Sequence, residues 1–285
     1  MPKFRKIALI IGAMKSGTTS LYADLARHPA IASSFNKETK FFSSDERFAR
    51  GEDWYYSRYD IGPAHEWVID GTTDCAKFPY CGDVPARLQA YGADVKLIYI
   101  MRHPVRRLES HARHAARTGC EVNDIRSDRR DHSLDAGLSH VARAVSNYAM
   151  QIDQFRDWFD RREMLLLTTE EYHVDPAAVR DRIIGFLGLQ PMPGMPPLTE
   201  RRNRGDGFIR HRKVAAFVRD IPVVGPALRR VLPRSVQELG WERAVVPGRF
   251  RFTAAEEQAL ISEMRPDLDR LRDDYGVDIA RWWRL

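Results

Sequence analysis

Lys3-Phe4-Arg5-Lys6-Ile7-Ala8-Leu9-Ile10-Ile11-Gly12-Ala13-Met14-Lys15-Ser16-Gly17-Thr18-Thr19-Ser20-Leu21 sets an apolar run against a small, polar turn and then a helix start. A buried strand that stops at such a turn builds an anion cradle. Successive backbone N–H groups and the positive end of the following helix converge on one point, and Lys15, Ser16, Thr18 and Thr19 add donors. A Walker A loop requires G-x-x-x-x-G-K-[ST]; Gly12 and Gly17 match, but Thr18 occupies the lysine position and Lys15 lies three residues earlier. The spacing therefore disfavours a nucleoside triphosphatase and favours a related cradle for another phosphate ester.

Outward from this segment, short apolar runs alternate with longer amphipathic ones. That pattern predicts an α/β chain, a three-layer, P-loop-like fold with a central parallel sheet flanked by helices. Strands are expected at 5–11, 66–70, 95–101 and 163–168. Helices are expected at about 18–28, 84–91, 104–117, 139–160, 176–187 and 254–275, with Asp175 capping the helix that Pro176 begins. In open parallel sheets ligands sit beyond the carboxyl ends of the strands. Lys15 and Arg102 both follow predicted strands immediately, so both are expected to face one crevice.

The segment Lys15-Ser16-Gly17-Thr18-Thr19 resembles the 5′-phosphosulfate loop, K-[ST]-G-T-[TS], of sulfotransferases that use 3′-phosphoadenosine 5′-phosphosulfate (PAPS). Their second signature, a strand followed by R-x-P and a serine eight residues after the arginine, is matched by Leu97-Ile98-Tyr99-Ile100-Met101-Arg102-His103-Pro104 with Ser110. Asn36-Lys37-Glu38-Thr39-Lys40-Phe41-Phe42 is similar to the K-E-x-x-F-F region of heparan-type glucosaminyl sulfotransferases and their bacterial relatives. Ser146-Asn147-Tyr148 with Gln151, and Gly185-Phe186-Leu187-Gly188-Leu189, resemble later parts of the same group. The matches span most of residues 5 to 190 and thin out beyond.

The resemblance implies sulfuryl transfer from PAPS to a hydroxyl or amine of a carbohydrate-like, lipid or small-molecule acceptor, with 3′-phosphoadenosine 5′-phosphate (PAP) as product and no metal. It assigns Lys15 as the cation beside the departing phosphate and Ser16, Gly17, Thr18, Thr19 and Ser20 to the 5′-phosphate. Arg102 and Ser110 would hold the 3′-phosphate, through a forked guanidinium and a hydroxyl. Glu38 matches the family's catalytic glutamate and is expected to act as general base. His111 and His114, one helical turn apart, offer a competing base. Arg201, Arg202, Asn203 and Arg204-Gly205 fall where a basic loop closes over the cofactor in this family, and Arg202 joins the cofactor set. Lys40 stands where some glucosaminyl 3-O-sulfotransferases have histidine, and Asp70-Gly71-Thr72-Thr73 departs from their acceptor turn. Their acceptor contacts therefore do not transfer.

The residue types allow other roles. Thr18 or Thr19 suits a helix N-cap, Arg106 and Arg107 a solvated face, and Glu38 an ion pair with Lys37 or Lys40. Phe41 and Phe42 read as core, while Trp54, Tyr55, Tyr56 and Tyr59 form an aromatic patch suited to packing or to stacking on an acceptor ring.

The 285 residues, 44% hydrophobic, suffice for one α/β domain over 1–285, and a formal charge of +6 favours anionic ligands. The basic residues are dispersed among 39 acidic ones without a nucleic-acid-binding signature, so nucleic acid is not expected as a partner. Cys75, Cys81 and Cys120 have neither metal-ligand nor disulfide-framework spacing. With no run of about 20 apolar residues and no signal-peptide core, the chain reads as cytoplasmic and bacterial in type, peripheral membrane contact remaining open through 221–230. Residues 119–135 are expected to form a mobile loop and 191–235 an irregular, lid-like segment. Two alternatives stand beside the transferase: a P-loop kinase-like enzyme and a non-catalytic PAPS- or PAP-binding protein.

Overall fold

The computed structural model describes residues 6–118, 140–192, 194, 209–212, 241–244, 251–283 and 285. They belong to two compact units. The first comprises Met1–Leu108, His140–Asn203 and Phe252–Leu285, the second Glu109–Ser139 and Arg204–Arg251. In the second, β6 (Ile209–Arg212) pairs antiparallel with β7 (Trp241–Ala244).

The first unit is built on five parallel strands: β1 (Lys6–Gly12), β2 (Ile31–Ser33), β3 (Trp67–Asp70), β4 (Asp94–Met101) and β5 (Met164–Thr168), in the order β2-β3-β1-β4-β5. β1 is central because Ile7 through Ile11 are all fully buried, a run only a strand covered on both faces can hold. The chain first fills one side of β1, placing β2 at the edge and then β3 between them, and afterwards the other side with β4 and β5. This makes the carboxyl end of β1 the switch point where connections diverge and a crevice opens.

The strands' alternate side chains serve two helical layers. Ala8, Ile10, Ile98 and Ile100 pack with Leu21 and Leu25 of α1 (Thr18–Leu25) and with Ile183 of the helix Pro176–Phe186. Burial of each such aliphatic side chain contributes about 1.5–3 kcal/mol. On the opposite face Tyr99 meets Tyr148 edge-on, ring centroids 6.1 Å apart.

The predicted strands appear within one residue of their expected limits. Between β2 and β3 lie two short helices, α2 (Asp45–Phe48) and α3 (Gly51–Tyr56), and before β4 comes α4 (Val84–Tyr91). After β4 follows α5 (Pro104–Thr118). The helix expected over 139–160 is instead two, α6 (His140–Ser146) and α7 (Tyr148–Arg156), broken at Asn147 (φ −85°, ψ 83°). The break is stabilised from a distance: the Asp267 carboxylate accepts from the backbone N–H groups of Ala149 (3.0 Å) and Met150 (2.8 Å), capping the second helix. α8 (Thr169–Val174), not expected from the sequence, follows β5 directly, and α9 (Pro176–Phe186) carries the Asp175 cap as expected, the carboxylate accepting from Ala178 N at 2.9 Å. The terminal pair is α10 (Ala254–Asp273) and α11 (Ile279–Trp282). The expected loop 119–135 lies outside the described residues, as does nearly all of 191–235.

Candidate active site

At the end of β1 the backbone turns sharply. Ala13 N donates to the Ile100 carbonyl of β4 (2.8 Å), and Ser16 N donates back to the Ala13 carbonyl (3.1 Å). Gly12 permits the approach: a Cβ there would lie 2.9 Å from a ring carbon of Tyr99. Lys15 has φ 71°, a left-handed conformation that costs a residue with a side chain about 1–2 kcal/mol and is typical of functional turns. Gly17 (φ 85°) takes the N-cap position of α1 and, having no side chain, offers the helix start no capping bond of its own. Neither Thr18 nor Thr19 is therefore the N-cap, because the cap residue adopts a backbone that glycine tolerates and threonine resists. The Ser16 hydroxyl is buried. Tyr148's hydroxyl lies near it but is committed to the Arg102 carbonyl, and Ser16 Oγ makes no hydrogen bond among the described residues. An anionic oxygen would complete both the uncapped helix start and this hydroxyl.

β4, beside β1, ends one residue before Arg102. Tyr148 Oη donates to the Arg102 carbonyl (2.6 Å) and accepts from Arg102 N (3.4 Å), while burial pushes the phenol up to about 12 and keeps it a donor. His103 N donates to Glu170 Oε1 (3.0 Å), whose other oxygen accepts from Trp283 Nε1 (2.9 Å). The Thr169 hydroxyl lies 2.7 Å from the Ser16 carbonyl and 2.8 Å from the Met101 carbonyl. The two predicted turns thus stand side by side.

Arg107 is not on a solvated face. It is fully buried and donates to Ser146 Oγ (2.7 Å), to the Met14 carbonyl (3.4 Å) and to the Ala142 carbonyl. Burial pulls its guanidinium below the ordinary arginine value. Arg106, half-buried, is paired with Glu257 at 2.9 Å.

Glu38 lies beside the end of β3. Its Oε1 accepts from Lys37 Nζ (2.9 Å) and from the Thr73 hydroxyl (3.3 Å), and Lys37 Nζ also donates to the Gly71 carbonyl (2.8 Å). Lys40 instead pairs with Asp74, at 2.9 Å. The stretch is anchored by Asp70, fully buried at the end of β3, which accepts from Thr39 Oγ1 (2.5 Å), Thr72 Oγ1 (2.6 Å) and Thr72 N (3.0 Å). Glu38 also lines a cavity of roughly 260 Å³ together with Phe35, Asn36, Arg47, Arg50, Trp54 and Arg58. The Arg50 and Arg58 guanidinium groups lie 4.8 and 5.2 Å from the Trp54 ring centre. Phe41, Phe42, Tyr55 and Tyr59 are core, all buried, with Phe41 stacked on Tyr55 at 4.8 Å.

Ser110, His111 and His114 lie on the part of α5 that belongs to the second unit; His111 is buried and His114 half-buried. Arg201, Arg202, Asn203, Arg204-Gly205, residues 221–230 and Cys120 lie outside the described residues. Thr169, Glu170 and Arg107 were not expected at the site. Local sequence offered no signal for the first two, and Arg107 was legible only as one of several arginines. Among the described residues, no helix is long and apolar enough to cross a membrane, and no group of three or more His, Cys, Asp or Glu is placed to hold a metal ion.

The model of the sulfotransferase domain family matches residues 5–196. The chain is 30% identical over 190 residues to human heparan sulfate glucosamine 3-O-sulfotransferase 3B1, covering 64% of this chain and 46% of that protein. To human bifunctional heparan sulfate N-deacetylase/N-sulfotransferase 3 it is 28% identical over 203 residues, covering 67% of this chain and 23% of that protein. The chain thus spans less than half the length of these curated relatives. Among solved structures, a sulfotransferase from Alicyclobacillus acidocaldarius shares the fold, with a TM-score of 0.61 and 23% identity, over 97% of this chain and 98% of that one.

Proposed function

The chain belongs to the sulfotransferase domain family, and from that premise we propose that it moves a sulfuryl group from PAPS to a hydroxyl or amine of an anionic, carbohydrate-like acceptor. The observation that carries this reading is the pair of adjacent strand-exit turns, one ending in Lys15 and Ser16, the other in Arg102, on neighbouring parallel strands. When bound, the donor supplies a sulfuryl group whose departure leaves PAP. Residues 16–20 would hold the 5′-phosphate through backbone N–H groups and hydroxyls, a role supported by the buried Ser16 hydroxyl, which makes no hydrogen bond among the described residues, and by the glycine N-cap of α1. Lys15 would offset negative charge that builds on the leaving phosphate oxygen. Arg102, with Arg202 as a further candidate, would bind the 3′-phosphate. Glu38 would accept the acceptor's proton, with Lys37 orienting its carboxylate.

The cavity beside Glu38 supports the acceptor class. Arg47, Arg50 and Arg58 outnumber Glu38 and Glu46, and Trp54 offers a ring face. A sugar-like acceptor carrying a carboxylate or sulfate fits both features.

Calorimetry with PAP and with ATP-Mg²⁺, followed by transfer of labelled sulfate onto acidic and neutral oligosaccharides, tests the reading. Tight PAP binding with transfer to acidic acceptors is expected. Preference for ATP-Mg²⁺ favours the kinase alternative, and PAP binding without transfer to any acceptor favours the non-catalytic one. Arg50→Ala with Arg58→Ala should raise KM for acidic acceptors and leave neutral ones unchanged.

A further inference from the structure

Resting on the PAPS reading above, we infer that Thr169 is a positioning residue that locks the 5′-phosphate turn to the Arg102 turn, setting the spacing between the two phosphate subsites. Thr169 is 3% exposed, and its single hydroxyl proton faces two carbonyls, that of Ser16 at 2.7 Å and that of Met101 at 2.8 Å. These belong to residues directly adjoining Lys15 and Arg102. Its methyl carbon lies 3.5 Å from where a Cβ on Gly17 would stand, so the methyl supports the left-handed glycine of the phosphate turn while the hydroxyl ties the turn to β4.

The bracket is itself held rigid from two sides. Thr168 pairs in register with Met101, and its hydroxyl accepts from Glu171 N (3.1 Å) while Glu171 Oε1 accepts from Thr168 N (2.7 Å), a capping box that fixes the first turn of α8. The next residue, Glu170, binds His103 N. One short helix start therefore grips both turns. A ligand that touches only one turn can tolerate a shift between them. A ligand that bridges both cannot, and loses affinity when the tie is removed.

Thr169→Val removes the hydroxyl and keeps the methyl shape, whereas Thr169→Ser keeps the hydroxyl. Calorimetric titration of wild type and both variants with PAP, adenosine 5′-phosphate and adenosine 3′-phosphate separates the roles. Thr169→Val should weaken PAP binding by about tenfold, the size of one net hydrogen bond, and leave each monophosphate within about threefold of wild type. Thr169→Ser should restore PAP binding to within about twofold. In turnover assays Thr169→Val should raise KM for the donor more than it lowers kcat. If Thr169→Val is unfolded at the assay temperature, Thr169→Cys, a poor donor of similar size, takes its place. Wild-type PAP affinity in the variant that lacks the hydroxyl overturns the inference, as does equal weakening for all three nucleotides or failure of serine to rescue. Wild type that does not bind PAP overturns the functional reading itself, and the inference falls with it.

Discussion

Lys37 Nζ donates both to Glu38 Oε1, at 2.9 Å, and to the carbonyl of Gly71, at 2.8 Å, so the carboxylate is oriented by a lysine pinned to the end of β3. This arrangement holds a half-exposed acid in one direction beside the cavity. If Glu38 is the base, Glu38→Gln lowers kcat by about 10²–10⁴-fold while PAP affinity stays near wild type. Single-turnover kinetics with saturating donor, paired with PAP titration, measure the split. Collapse of PAP affinity with turnover intact would remove Glu38 from that role.

On the proposed reading, the first turn stabilises charge and the second binds. Lys15→Ala should lower turnover by about 10²–10³-fold with an unchanged melting temperature. Arg102→Ala should weaken PAP by about 10–150-fold, the range of a charge-assisted hydrogen bond of 1.5–3 kcal/mol, and leave adenosine 5′-phosphate almost unaffected. Normal turnover in both variants would discard the site.

Arg107 is a stability prediction. Its removal takes a donor from the Met14 carbonyl in a dry interior, whereas the Ser146 hydroxyl and the Ala142 carbonyl keep each other as partners at 3.2 Å. Arg107→Met should cost about 1–3 kcal/mol, lowering the melting temperature by roughly 2–10 °C. Lysine cannot reproduce the three-way fork, so Arg107→Lys should recover only part of the loss, as scanning calorimetry would reveal.

Asp70 gives a pH prediction. Burial raises its pKa in the folded protein, against the opposing hydrogen bonds from Thr39 and Thr72. With the folded value above the unfolded one, about 3.9, the folded state holds more protons in that interval. Its contribution is therefore largest below the unfolded pKa and is lost as pH rises through the folded pKa. Asp70→Asn has no such dependence, and its amide also faces donors it cannot accept from well. The stability gap between wild type and Asp70→Asn should widen as pH falls from 7 towards about 4, read by urea unfolding at each pH. A gap that narrows on acidification contradicts this assignment.

The sheet and the two turns were legible because their signals are local. An uninterrupted apolar run needs a strand buried on both faces, and glycines at 12 and 17 with a lysine between them mark a tight turn after it. The break at Asn147 was not legible, because Ser146 and Asn147 disfavour a helix interior only weakly; the Asp267 carboxylate that caps the new start lies 117 and 118 residues away. The burial of Arg107 was hidden for the same reason, its partner carbonyl at Met14 being 93 residues distant.

The sequence by itself determined which segments become strands and where the tight turns fall, since backbone propensity, side-chain periodicity and glycine spacing act over a few residues. Tertiary structure alone decided how those turns are held together. Thr169 meets Ser16 across 153 residues of chain, and a hydroxyl gains two carbonyl partners only when folding brings separate strand ends within hydrogen-bond reach.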